Sequence, residues 1–233
     1  MARILVLVAH PQLEHSRVSR RMADAVAAAA QAGASIEVRD LYARYPDYLI
    51  DTAAEQAALA GTELLVWLHP IHWYGMPPLM KLWLDEVFAF GWAYGPGGNA
   101  LRGRDLWLAT TTGGPEQSYR SDGYNRYFFD SFLPPYDQTA ALVGLRFLPP
   151  YVLHGAHRAS DEAIAAHAQT FIERLLSYPD WPELDEIEVC ELREVPTDAR
   201  PQGDEAAAAP GRARPGPTLA EDLAPHSAGG EPT

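Results

Sequence analysis

The stretch RILVLVAHPQLEHSRVSRRMADAVAAAA, Arg3 to Ala30, decides how the chain folds. Arg3 to Ala9 is nearly continuous in Ile, Leu and Val, the pattern of a strand inside a parallel sheet covered on both faces. From Ser16 the spacing changes: Val18, Met22 and Val26 fall at i, i+4 and i+8, which predicts a helix over Ser16 to Ala30 that ends before Gly33. The same alternation continues outward from this unit. Strand two is read at Ser35 to Asp40, and Asp51-Thr52-Ala53-Ala54-Glu55 reads as a capping box opening a short helix ahead of strand three, Glu63 to Leu68. A helix entered through Pro77 and Pro78 carries Leu79, Leu82, Trp83, Val87 and Phe90 on one stripe. Strand four is Asp105 to Thr110. Strand five is Arg146 to Leu153, interrupted by Pro149 and Pro150, and Ser160 to Tyr178 closes the domain with Ile164, Ala168, Phe171, Ile172 and Leu175 inward. Five strands alternating with helices, without internal repeats, predict a single three-layer α/β domain over residues 1–181.

Composition narrows the function. With 47% hydrophobic and 21% charged residues the chain has the balance of a globular domain, and no apolar run approaches the ~20 residues needed to span a bilayer. Met1 to Ala9 is too short for a secretory signal, so a cytoplasmic protein is expected. Cys190 is the only cysteine, which excludes a disulfide framework and a C-x-x-C redox pair; redox chemistry must then come from a bound cofactor. A net charge of -13 with Lys81 as the only lysine argues against nucleic-acid binding. Residues 182–233 carry -8 of that charge and no aromatic residue. This Pro, Ala and Gly-rich acidic tail is expected to be mostly disordered and dispensable, although Leu184 to Leu192 has the makings of a short strand or helix.

In an open parallel sheet ligands bind outside the carboxyl ends of the strands, which directs attention to the loops after strands one, three and four. The first, Ala9-His10-Pro11 through Ser16 and Ser19, enters a helix N-terminus; its amides, two hydroxyls and the His10 ring suit a phosphate, while the plainer reading has Ser16 only capping the helix. The second, His69-Pro70-Ile71-His72-Trp73-Tyr74-Gly75-Met76-Pro77-Pro78, sets large aromatics on a proline-stiffened loop, a wall for a flat ring or a surface packed on a helix or partner subunit. His69 and His72 lack a third ligand nearby, and no metal is expected. The third, Thr110-Thr111-Thr112-Gly113-Gly114-Pro115-Glu116, lets backbone approach a ligand closely. There is no Walker loop, no G-x-G-x-x-G after a strand and no G-x-S-x-G elbow, and His10-Pro11 and His69-Pro70 stand where a phosphoacceptor domain would need acids. One phosphate pocket beside a polar-aromatic slot leaves flavin mononucleotide.

Ala9-His10-Pro11 with Ser16, the run from His72 to Asp85 (HWYGMPPLMKLWLD), and Thr111-Thr112-Gly113-Gly114 resemble the NAD(P)H:quinone oxidoreductase family of flavodoxin-like flavoproteins. Asp40-Leu41-Tyr42, Tyr45-Pro46-Asp47, Ile50-Asp51, Gly91-Trp92-Ala93-Tyr94-Gly95 and Gly97-Gly98 further resemble the ancillary subunits of the glutathione-gated potassium efflux (Kef) system, and the similarity covers Arg3 to Tyr178. The resemblance implies a flavodoxin-like sheet in order 2-1-3-4-5 and a homodimer holding FMN or FAD, which NAD(P)H reduces and a quinone reoxidises. It implies that His10, Ser16, Arg17, Val18 and Ser19 hold the phosphate. Ile71, His72, Trp73 and Tyr74 would line the ring, and Thr111, Thr112, Gly113 and Gly114 would contact the isoalloxazine edge. Tyr119 matches a tyrosine that assists hydride transfer in some relatives; the histidine that some of them carry five residues later is absent from Gly123-Tyr124-Asn125. Two other roles fit the same resemblance: a flavin-binding regulatory subunit at the inner face of the membrane beside a potassium antiporter, and an electron carrier. Trp83, Phe88 and Phe90, with Trp92 and Tyr94, exceed what one inward stripe needs, so a twofold dimer is expected to bury part of that surface.

Overall fold

The computed structural model describes residues 2–185. Strands β1 (Ile4–Val8), β2 (Ile36–Asp40), β3 (Leu64–Pro70), β4 (Arg104–Thr111) and β5 (Leu145–Leu153) form one parallel sheet in the order β2-β1-β3-β4-β5. The connections hold helices α1 (Ser19–Gln31), α2 (Leu41–Arg44), α3 (Thr52–Leu59), α4 (Pro78–Val87), α5 (Pro134–Val143) and α6 (Asp161–Ser177). The two-residue period of the strands sorts the core into two layers. Leu5 and Leu7 of β1 join Leu65 and Trp67 of β3 and Leu106 and Leu108 of β4 beneath α3, α4 and α5. Ile4, Val6 and Val8 join Leu64, Val66, Leu68 and Trp107 beneath α1 and α6. Because both faces are covered, β1 and β3 are buried at every residue, which is why they read as unbroken apolar runs.

Several local expectations need correction. Helix α1 begins at Ser19 rather than Ser16, because Leu13–His15 forms a separate 3₁₀ turn before it; Ser16 Oγ accepts the Ser19 N–H at 3.1 Å and so does act as a cap. At α3 the capping is done by Asp51, which accepts from Ala54 N–H at 2.9 Å. Glu55 does not reach back to the helix start. It is fully buried, accepting from Arg39 Nη1 at 2.6 Å, Tyr45 Oη at 2.5 Å and Trp83 Nε1 at 2.9 Å. Pro149 and Pro150 do not interrupt β5; the sheet absorbs them in a register shift opposite Trp107–Ala109, where Trp107 Nε1 donates to Pro149 O. Helices α2 and α5 were not expected, and β3 runs two residues further than read, to Pro70, so that His69 lies inside the core.

The remaining differences concern surfaces. Trp83 and Phe88 are buried in their own core and are not available to a partner, whereas Phe90 is exposed. Packing continues past Trp181: Pro182–Asp185 is a 3₁₀ turn whose Leu184 is buried, with its carbonyl accepting from Arg146 Nη1 at 3.0 Å. The rest of the segment Leu184 to Leu192, and the tail after it, lie outside the described residues.

Candidate functional site

The carboxyl ends of β1, β3, β4 and β5 are stitched together by backbone hydrogen bonds that continue past the strands. Ala9 N–H donates to Leu68 O, Ile71 N–H to Thr111 O, and Thr112 N–H to Leu153 O. The loops that follow therefore open onto one rim, where a cavity of about 430 Å³ is lined by His10, Ser16, Arg17, Val18, Ile71, His72, Thr111, Thr112 and Gly113 from the sequence reading. That size suits a small-molecule site, for which roughly 300 to 1,000 Å³ is usual. Ser19 is not among the lining residues, and its Oγ is buried without a partner among the described residues.

Among the described residues the N–H groups of Arg17, Val18 and Gly113, which line the cavity, and of Gly114 beside it donate to no protein acceptor. His10 Nδ1 accepts the Gln12 N–H at 3.1 Å, which places the proton of the neutral ring on Nε2 as a further donor. Burial and the nearby His72 hold the His10 pKa below its ordinary value, against an opposing pull from Asp40. The cavity lining includes His10, His15, His72, His157 and Arg17 and not one carboxylate, in a chain whose net charge is -13. Arg17 is held by Asp161 at 2.7 Å, which fixes its side chain across the α1 and α6 termini. Donor groups without acceptors, gathered at a helix start, are the chemistry that suits a doubly charged phosphate.

The aromatic end is built on a strained turn. His72 N–H donates to Gly75 O at 2.9 Å and Gly75 N–H to His72 O at 3.1 Å, closing a two-residue loop whose central residues, Trp73 and Tyr74, have φ of 48° and 65°. Left-handed backbone in L-residues costs about 1 to 2 kcal/mol each, and such strain concentrates at binding sites. The turn leaves Trp73 95% exposed, and stacks Tyr74 on Phe132 with centroids 5.1 Å apart. A second cavity of about 230 Å³ lies here between Ile71, Trp73, Tyr74 and Gly114 on one side and Ser118, Tyr119, Tyr124 and Asn125 on the other. Tyr119 is buried except at this cavity, and no charged side chain lines it. Ile71 lines both cavities, so the donor-rich end and the aromatic end meet at one residue. The lining therefore fits FMN: free N–H donors, neutral histidines and one arginine at one end, an uncharged aromatic slot at the other.

The sequence reading missed the β5–α6 loop. Ala156 and His157 line the larger cavity, and a Cβ built on Gly113 would sit 3.3 Å from the His157 ring, so any side chain there would press on that ring. The rule that sends ligands to strand carboxyl ends applies to β5 as much as to β4, and would have found this loop.

With this geometry in place, the relatives are informative. The family model described as the flavodoxin-like fold matches residues 2–175. The glutathione-regulated potassium-efflux system ancillary protein KefF of Citrobacter koseri is 44% identical over 177 residues, covering 76% of this chain and 97% of that protein. General stress protein 14 of Treponema denticola, solved in complex with FMN, superposes with a TM-score of 0.70 at 38% identity, covering 74% of this chain and 97% of that one. A Klebsiella pneumoniae protein named as a candidate quinone reductase gives a TM-score of 0.66 at 25% identity over 77% and 86% of the two chains. The chain belongs to the flavodoxin-like family of flavin-dependent oxidoreductases that includes the NAD(P)H:quinone reductases and the ancillary proteins of glutathione-regulated potassium efflux.

Proposed function

We propose that the protein binds FMN and uses it to move two electrons from NAD(P)H to a quinone, in a ping-pong cycle on one face of the ring. The observation that carries this reading is the pairing of unpartnered amides and a carboxylate-free, histidine-rich cavity with an adjoining uncharged aromatic slot. His10, Ser16, Arg17 and Val18 would hold the phosphate; Ile71 to Tyr74 and Thr111 to Gly114 would hold the ring. Bound flavin supplies the hydride chemistry, so the protein's task is to bind, orient and polarise. The Gly113 and Gly114 N–H groups are set to stabilise negative charge on the ring edge beside them, as preorganised donors do. Tyr119 lines the slot where an acceptor would stack. The slot's lack of charge favours neutral planar acceptors over anionic ones.

The aromatic rim of Trp73, Tyr124, Tyr127, Phe128 and Phe90 is exposed, and we assign it to a homodimer interface that roofs the slot. A purified protein that is yellow, releases FMN on heating and oxidises NADPH steadily with a quinone would support the proposal. A colourless protein that neither takes up added FMN nor turns over would refute it, and a monomer by light scattering at micromolar concentration would remove the dimer.

The KefF relatives favour a second reading, in which the flavin protein works as a cytoplasmic ancillary subunit at the inner membrane face. Among the described residues no helix is long and apolar enough to cross a membrane, so such a role would need a separate antiporter. Tight FMN binding without steady NAD(P)H oxidation would decide for it.

A further inference from the structure

The Thr112–Gly114 turn is shaped by a histidine on another loop. Thr112 Oγ1 donates to Gly114 O at 2.8 Å and lies 3.0 Å from His154 Nδ1. A carbonyl oxygen only accepts, so the single hydroxyl proton is committed to Gly114 O and the hydroxyl lone pair is left facing the imidazole. Nδ1 must then be the donor. Neutral His154 therefore carries its proton on Nδ1 and keeps Nε2 as a lone pair. Two backbone bonds complete the attachment: Ala156 N–H donates to Thr112 O and Gly155 N–H to Gly114 O, both at 2.9 Å. Both outer carbonyls of the turn and its one side-chain hydroxyl are anchored to the β5–α6 loop. The N–H groups of Gly113 and Gly114 donate to no protein acceptor among the described residues.

His154 is itself wedged in place. Its ring centroid lies 5.3 Å from that of Tyr119 and 5.1 Å from that of Phe129, the latter edge-on. Burial lowers its pKa, and the carboxylate of Glu116 opposes that. Adding a proton at Nε2 leaves the Nδ1–H bond to Thr112 intact, so the turn keeps its shape in either charge state.

We propose that His154 is a positioning residue of the site, whose Nδ1–H acts through Thr112 to hold the Gly113 and Gly114 amides toward the bound ring. The clasp belongs to the chain alone, while its consequence for flavin affinity rests on the function proposed above. The test uses the full-length protein. Long-range spectra of ¹⁵N-imidazole histidine should show the Nδ1–H tautomer for His154. Losing one hydrogen bond in this chain should weaken FMN about 3- to 10-fold in His154→Phe. His154→Asn, whose Nδ2 is attached to Cγ as Nδ1 is, should stay within about twofold of the parent. Adding Thr112→Val to His154→Phe should then cost almost nothing further. An Nε2–H tautomer would overturn the proposal, and so would rescue by Phe and not by Asn, which would mean that His154 only fills space against Tyr119 and Phe129. If the parent bound no FMN, the function proposed above would fail. The tautomer, and a melting temperature of the flavin-free protein kept by Asn and lowered by Phe, would still decide the clasp.

Discussion

Removing the phosphate donors is the most direct challenge to the site. His10→Ala deletes an N–H whose position is set by the Gln12 bond to Nδ1, and a hydrogen bond to a charged acceptor is worth about 1.5 to 3 kcal/mol. That corresponds to roughly 10- to 150-fold in FMN affinity. Ser16 differs, because its Oγ already accepts from Ser19 N–H and only its O–H is left to donate. Ser16→Ala should therefore cost both binding and about 1 kcal/mol of folding stability through the lost cap. The two effects separate when FMN is titrated by fluorescence quenching and the flavin-free protein is unfolded in urea. His10→Ala should lower affinity while leaving the urea midpoint nearly unchanged; Ser16→Ala should lower both. The double variant should bind more weakly than either, though less than additively, since both groups would contact one phosphate. A double variant that binds FMN as tightly as the parent would refute the assignment of this cavity.

Three further outcomes follow from groups outside the cavity. Glu55→Ala leaves the Trp83 indole N–H and the Tyr45 hydroxyl without their acceptor and Arg39 with Glu37 alone, and should cost about 3 kcal/mol in urea unfolding, with Glu55→Gln much milder; equal losses would mean the charge is unimportant. His69 is wholly buried and held at about 4, so it stays neutral in the fold while the unfolded chain takes up a proton below about pH 6.5. Stability should fall as pH drops from 6.5 towards 4, by roughly 3 kcal/mol from this residue, and His69→Asn should flatten the slope by about one proton; an unchanged slope would count against it. Truncation after Trp181 strips a buried Leu184 worth about 1.5 to 3 kcal/mol, whereas truncation after Asp185 should leave the melting temperature and flavin affinity near those of the full chain; equal stability of the two would show that Leu184 contributes nothing.

What could be read in advance divides along a physical line. The strands were legible because burial on both faces makes Ile4–Val8 and Leu64–Leu68 apolar throughout, and nothing local competes with that pattern. Helix α5 was hidden: it starts with two prolines, and only Tyr136, Ala140 and Val143 face the core, a stripe too thin to stand out. Glu55 was misread because an acid near a helix start suits a capping box; only the fold brings Arg39 and Trp83 to it, from 16 and 28 residues away. Most of the predicted site residues lie along the two cavities, since their order in the chain follows the order of strand ends. His154 and His157 escaped notice because the one short loop that holds both is otherwise of ordinary composition, and their meaning comes from Thr112 and Gly113, about 40 residues earlier.

The turn at His72–Gly75 shows why local rules fail where binding begins. A two-residue loop with both central residues left-handed would ordinarily be built from Asn and Gly, yet this one holds the bulkiest ring in the chain and a tyrosine. Asn-Gly would fold with less strain but would present no aromatic face. Here the strain is offset by tertiary contacts: Tyr74 stacks on Phe132 and donates to Asn125 at 3.3 Å, while Pro70, Pro77 and Pro78 remove much of the freedom of the flanking chain. Trp73 receives no comparable compensation within the described residues and stands almost fully exposed. Exposing that ring is unfavourable in the isolated chain and becomes favourable only when something planar or a second subunit covers it. The side chain that the fold supports least is therefore the one whose environment a ligand or partner would change most, and quenching of its fluorescence on FMN binding is the spectroscopic consequence.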